Sequence, residues 1–170
     1  MAKITLYSLS DYNCGDLIAH TFDLDDFDSK DEYREAIAEW LEQLTTKKND
    51  GLAREEWIVC DHEDIPDRLV GEYDLDSDYW EYKTILGATH LPAEAIEVWL
   101  NYGYILDQDE MEDSYRGKWE TDEDFVQEML EDCGYIPENM PAYIHIDWER
   151  TARDVMIDFF EENGHYFRAN

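Results

Sequence analysis

The chain has little of what basic-surface chemistry requires. Of its 170 residues only 13 are Lys or Arg against 44 Asp or Glu, a formal net charge of −31. Binding to a phosphate backbone or to anionic lipid runs on Lys and Arg, so direct nucleic-acid binding and docking on a membrane surface are both excluded. No run of about 18 apolar residues occurs, which rules out a membrane-spanning helix. The opening Met1-Ala2-Lys3-Ile4-Thr5-Leu6-Tyr7 lacks the long apolar region of a signal peptide, so a cytoplasmic location is expected. Cysteine is scarce too: Cys14, Cys60 and Cys133 are odd in number, far apart and without a Cys-x-x-Cys pair. That spacing predicts reduced thiols, in the core or incidental, rather than a disulfide framework or a zinc site.

Catalytic and cofactor signatures are missing as well. His20, His62, His90, His145 and His165 form no His-x-x-x-His pair and no His-Glu-x-x-His, so each reads as a surface or packing residue. Glycine-rich phosphate cradles and a serine or cysteine nucleophile elbow are absent. Asp74, Asp76 and Asp78 copy the opening of an EF-hand loop, but its sixth position must be Gly and its twelfth Glu, and here they are Tyr79 and Ile85. With this many carboxylates some pair must fall close together anywhere, so no glycosidase-like acid/base couple follows. No metal, no cofactor and no enzymatic activity are expected.

What is present is an aromatic-rich body wearing negative charge. Apolar residues make up 44% and aromatics 14%, enough for a packed core and too many for a disordered acidic tail. The acids are not gathered at one end. Residues 1–60, 61–103 and 104–170 each hold at least twice as many acids as bases, interleaved with rings as in Asp74-Leu75-Asp76-Ser77-Asp78-Tyr79-Trp80-Glu81-Tyr82. In axial terms the net charge equals that of roughly 16 base pairs of duplex.

Periodicity predicts an α+β fold in three small lobes. In residues 1–60, strands are expected at Ile4 to Leu9 and Ile18 to Phe22, with a loop through Asp11 to Asp16. Ser29, with Glu32 three residues on, caps a helix that buries Tyr33, Ile37, Trp40, Leu41 and Leu44. Glu56 to Cys60 follows as a buried strand. Residues 61–103 read as all-helical: a turn at Asp67 to Val70, a short helix at Asp76 to Leu86, and a better one from Pro92 to Tyr102 stopped by Gly103. Residues 104–170 return to α+β. They hold a strand at Ser114 to Trp119, a helix capped by Thr121 that buries Phe125, Val126, Met129 and Leu130, a helix from Asp147 through Phe160, and a closing strand His165 to Arg168.

The carboxylates themselves are the remaining constellation: Asp74, Asp76, Asp78 and Glu81, then Asp107, Asp109, Glu110, Glu112 and Asp113, then Glu120, Asp122, Glu123, Asp124, Glu128, Glu131 and Asp132. On the helix after Thr121, acids three and four residues apart place their Cβ atoms about 5–6 Å from one another. Phosphates along one DNA strand advance about 3.4 Å per step while winding, a separation of similar order. A merely solvated face explains such a row poorly. Like charges at helical spacing cost a few tenths of a kcal/mol each, and few cations are present to offset them.

The sequence resembles the ArdA family of antirestriction proteins over essentially its whole length. The likeness is carried by Tyr115-Arg116-Gly117-Lys118-Trp119, by Glu123-Asp124-Phe125 with Met129-Leu130-Glu131-Asp132, by Tyr143-Ile144-His145-Ile146-Asp147-Trp148-Glu149-Arg150-Thr151-Ala152-Arg153-Asp154, and by Gly164-His165-Tyr166-Phe167-Arg168. Leu6-Tyr7 and Asn13-Cys14-Gly15 also fit, while His145 lengthens the run before Asp147 relative to the family's Tyr-Ile-Asp-Tyr. The resemblance implies an elongated three-lobed protein that dimerises, imitates bent B-form DNA and occupies the DNA groove of type I restriction-modification enzymes, at their specificity and methyltransferase subunits. It also associates residues 125–140 with antirestriction and subunit contact, which points to Phe125, Met129, Leu130, Tyr135 and Ile136; for most of these an internal core role is an equal expectation. The alternative is an acidic adaptor or chaperone for another basic nucleic-acid-binding protein.

Overall fold

The computed structural model describes residues 1–137 and 139–169. The protein is mixed α+β with two small antiparallel sheets, and it divides into two compact units, Met1–Thr84 and Ile85–Asn170.

In the first unit β1 (Lys3–Ser8) alternates half-buried and buried residues, the period-2 signature of a strand with one face on a core. Ile4 and Leu6 are its inward pair. It is the centre of a sheet ordered β2-β1-β3, with β2 at Ala19–Asp23 and β3 at Trp57–Glu63, both antiparallel to it. Between β1 and β2, where the sequence predicts a loop, Leu9–Asn13 forms a short helix, α1. β3 corrects a second expectation: its apolar start predicts a buried strand, yet it lies at the sheet edge, half-buried at Trp57, Ile58 and Val59 and exposed at Cys60 and Asp61.

The long helix α2 (Lys30–Lys48) forms as its sequence dictates. Ser29 Oγ accepts the Glu32 N–H at 3.3 Å, acids occupy the first turn, and Lys47 and Lys48 occupy the last, each end matching the helix dipole. Glu32 reaches back to the Asp28 N–H rather than to that of Ser29. Tyr33, Ile37 and Leu41 are buried, Trp40 and Leu44 half-buried, and Asn49 ends the helix in the left-handed conformation. Truncating Ile37 to Ala would cost about 2–5 kcal/mol.

A buried polar knot ties this unit together across 43 residues of chain. Arg54 grips Asp11 with Nε at 2.7 Å and Nη2 at 2.9 Å, and its fork also holds Asp50. Ser8 Oγ at 2.6 Å and Lys48 Nζ at 3.0 Å complete the Asp11 shell. Hydrogen bonding from Arg54 is the largest of the influences that hold the Asp11 carboxyl far below the usual range; the same guanidinium lowers Asp50 to about 2.

A 3-10 turn at Asp67–Leu69 precedes α3 (Tyr79–Ala88), within which the boundary of the units falls. The second unit continues with α4 (Ala93–Asn101), which starts after Pro92 and stops before Gly103 as expected. Next comes α5 (Gln108–Ser114), a helix in a stretch whose sequence reads only as a run of charge, although Asp107 caps it through the Glu110 N–H at 3.0 Å. β4 (Tyr115–Lys118) and α6 (Asp122–Asp132) follow, the latter capped by Thr121 as predicted. α7 (Trp148–Val155) is shorter than its expectation: after a 3-10 turn the chain becomes β5 (Phe159–Glu162), then β6 (His165–Arg168). The cause is the Asn163-Gly164 pair, both at positive φ, which makes a two-residue hairpin that closes Glu162 against His165.

The sheet order is β4-β6-β5, all antiparallel. Tyr166 on the central strand packs with Phe125, Val126 and Ala152 from α6 and α7. Its neighbour Phe167, pointing to the opposite face, stacks on Phe160 and approaches Trp99 of α4. Gly164 is required where it stands: φ is +81°, and a Cβ would come within 2.7 Å of the Trp119 carbonyl.

Candidate acidic interface

On α6 the core takes Phe125 and Val126, with Met129 and Leu130 packed against them. The helical period therefore turns Asp124, Glu128, Glu131 and Asp132 outward, and all four are exposed. They differ in what else they do. Asp124 receives the Thr121 hydroxyl at 2.7 Å, Glu128 receives the Trp119 indole N–H at 2.9 Å, and Glu131 receives the Gln127 amide at 2.9 Å. These bonds fix rotamers without neutralising charge. Among the described residues no ion pair reaches any of the four. Asp122, at the helix start and also exposed, accepts the Tyr166 hydroxyl at 2.8 Å, a bond that adds to burial in pushing that phenol far above its ordinary pKa. Glu120 is exposed and Glu123 half-buried.

The acids at 107–113 lie on α5 or at its cap. Asp107, Asp109, Glu110 and Asp113 are brought together around an open cavity of about 490 Å³ that Arg116 and Arg168 also line. Glu112 faces the other way and is half-buried, accepting Thr89 Oγ1 at 2.7 Å and Gln108 Nε2 at 3.0 Å. Those bonds, Thr89 first, lower its pKa, with a smaller contribution from His90.

Of the four acids in the first unit, Asp74 is half-buried and taken by Arg34, whose Nε and Nη2 both address Oδ2. Asp76 caps the next turn by accepting the Asp78 N–H at 3.0 Å, Asp78 accepts the Ser77 hydroxyl at 3.2 Å, and Glu81 is exposed on α3.

The structure adds a row that sequence reading missed. Asp31, Glu35, Glu39 and Glu42 on α2 are all exposed, opposite the buried Tyr33, Ile37 and Leu41. Their spacing is the three-and-four rule already applied to α6, so the signal is present in the sequence, overshadowed by the apolar stripe of the same helix. The row runs about 16 Å along the axis.

Several cations of this unit are engaged away from that row. Lys48 serves Asp11 and Asp16, Arg54 serves Asp11 and Asp50, and Lys3 meets Glu63 at 3.2 Å. Lys83 donates to the carbonyls of Leu24 and Phe27. None of these bonds reaches the α2 row.

The residues associated with subunit contact separate by burial. Phe125 is 1% exposed and Met129 and Leu130 pack on it, whereas Ile136 is half-buried and Tyr135 is 77% exposed. Glu138, inside the 125–140 segment, lies outside the described residues. All three cysteines are exposed rather than in the core.

Among the described residues no group of three or more His, Cys, Asp or Glu is placed to hold a metal ion, and no helix is long and apolar enough to cross a membrane. A comparison with curated proteins finds no match. The family model described as antirestriction protein (ArdA) matches residues 6–167. With nearly its whole length matched, the chain belongs to the ArdA family of antirestriction proteins.

Proposed function

We propose that the protein is a non-enzymatic inhibitor whose exposed carboxylates replace DNA phosphates in the binding groove of a type I restriction-modification enzyme. The observation that carries this reading is the pair of outward acidic rows, one on α2 and one on α6, free of ion pairs among the described residues. On α2 four carboxylates span about 16 Å, a distance over which one DNA strand places about five or six phosphates. Each row thus approaches the linear charge density a groove lined with Lys and Arg is built to receive. Phosphate contacts carry no base sequence, so one such inhibitor serves against enzymes of differing recognition sites.

Two further features belong to the proposal: action in the cytoplasm, and self-association through the 125–140 segment. In the last, Tyr135 makes the contact while Phe125, Met129, Leu130 and Ile136 hold its position.

Competition is the direct test. Purified protein is titrated into a type I methyltransferase bound to a fluorescent duplex, at several salt concentrations. Displacement of the duplex with a Ki that weakens as salt rises is expected. Binding that leaves the duplex in place would overturn the mimicry and favour an acidic adaptor or chaperone for some basic protein.

A further inference from the structure

The first unit holds an open cavity of about 450 Å³ lined by Leu9, Arg34, Glu55, Glu56, Trp57 and Tyr73, with Asp74 at its wall. That volume is in the range of built ligand sites, and its composition is unlike the rest of the acidic surface because two rings and a leucine supply apolar walls. Three carboxylates and one guanidinium are among its lining groups. Arg34 is committed to Asp74 through Nε and Nη2, which leaves Glu55 and Glu56, both exposed, without an ion pair among the described residues. The Tyr73 phenol is pushed up, first by the Glu72 carboxylate beside it, then by burial, with Glu56 the smallest contributor.

Resting on the inhibitor reading above, we propose that this cavity receives one arginine side chain of the basic partner. The chemistry selects that occupant. A guanidinium is planar, weakly hydrated and able to stack on Trp57 or Tyr73 while its N–H fork meets Glu55 or Glu56. An ammonium group is a strongly hydrated point charge and loses more by leaving water. Arg34 on Asp74 shows that a carboxylate of this wall already takes a guanidinium. The cavity therefore acts as an anchoring notch within an otherwise dispersed electrostatic contact, and it deepens the inhibitor reading by assigning the partner's residue type at one place.

The test uses the full chain labelled with 15N and the probe Nα-acetyl-arginine amide, with Nα-acetyl-lysine amide as comparator at constant ionic strength. The chain has six indole N–H signals, and Trp57→Phe assigns the one that matters. A saturable shift of that signal is expected, at least threefold tighter for the arginine amide, and weakened at least tenfold in Glu55→Gln/Glu56→Gln. Both glutamates are exposed, so that variant keeps its fold, which the other five indole signals report. A non-saturating shift, an equal shift of all six indoles, or an unchanged response in the double variant would overturn the proposal and leave only a diffuse counter-ion atmosphere. The duplex-displacement assay on the same samples separates the two readings. A failed indole titration with displacement intact removes the notch and leaves mimicry standing; arginine binding without displacement removes mimicry and leaves the notch.

Discussion

The α2 row makes an unusual demand: removing its charge should make the protein more stable and less inhibitory at once. Consider Glu35→Gln/Glu39→Gln/Glu42→Gln. Glu35 faces Asp31, Glu32 and Glu39 at helical neighbour spacing, and Glu39 faces Glu42. Each like-charge contact costs about 0.2–0.5 kcal/mol, so removing four returns about 1–2 kcal/mol. Glutamine matches glutamate in helix propensity, and no basic neighbour three or four residues away loses a partner. The amide introduced at position 39 would keep an oxygen to accept the Gln43 amide, which Glu39 now accepts at 3.1 Å. For a unit of this size the gain corresponds to a rise in melting temperature of about 4–8 °C per kcal/mol. Inhibition should move the opposite way. Three exposed carboxylate contacts of about 0.5–1 kcal/mol each predict roughly 10- to 100-fold weaker displacement of DNA from the target enzyme. Calorimetry and the displacement assay on one preparation read both quantities. A lowered melting temperature would show that the row supports the fold, and a raised one with undiminished inhibition would show that α2 takes no part in the target contact.

Other perturbations test the remaining links. Asp11→Ala leaves Arg54 buried without its main partner and should cost about 3–5 kcal/mol in urea unfolding; a loss below about 1 kcal/mol would show the knot to be incidental. Because the Asp11 and Asp50 carboxyls are held below their ordinary value of 3.8, the stability they supply is complete above that value and is lost as pH falls toward 2. The melting-temperature gap between the native protein and Asp11→Asn should accordingly narrow from about pH 5 to about pH 2, and a constant gap would contradict the linkage. Gly164→Ala meets both a positive φ and the Trp119 carbonyl, so the second unit should lose more than about 1 kcal/mol, read from its near-ultraviolet aromatic signal. A single exposed acid, such as Glu131→Gln, should weaken inhibition only a few-fold, since no one contact dominates a dispersed charged surface.

Elements whose signals are local are legible in the sequence. Ser29 with its capped N–H and Thr121 with Asp124 announce α2 and α6, and the apolar stripes of both helices sit where the period puts them. Where two local readings compete, the louder one misleads. Asp107 with Glu110 carries the same capping spacing as those two helices, yet the stretch reads only as a run of charge. Phe159-Phe160 extends a helical pattern, although Asn163-Gly164 behind it is a hairpin signal strong enough to turn the chain into β5 and β6. Long-range features give no local signal at all. The Asp11–Arg54 grip and the edge position of β3 depend on which segments meet, and a buried aspartate in a short polar helix has no pattern of its own. The same limit explains the candidate interface: sequence locates the acids, while only the fold reveals that Asp74 is spoken for by Arg34 and Glu112 by Thr89.

Both three-stranded sheets have edge strands, β2 and β3 in one and β4 and β5 in the other, with β3 partly covered where the Val59 N–H bonds the Glu72 carbonyl. Edge strands invite pairing with further strands. Here β3 carries Asp61 and Glu63 and β5 ends in Glu161-Glu162, so each approaching copy brings its own repulsion to the seam. These edge acids thereby oppose fibril formation, and acidification toward the sequence pI of about 4.1 should produce sheet-rich aggregate, read by light scattering.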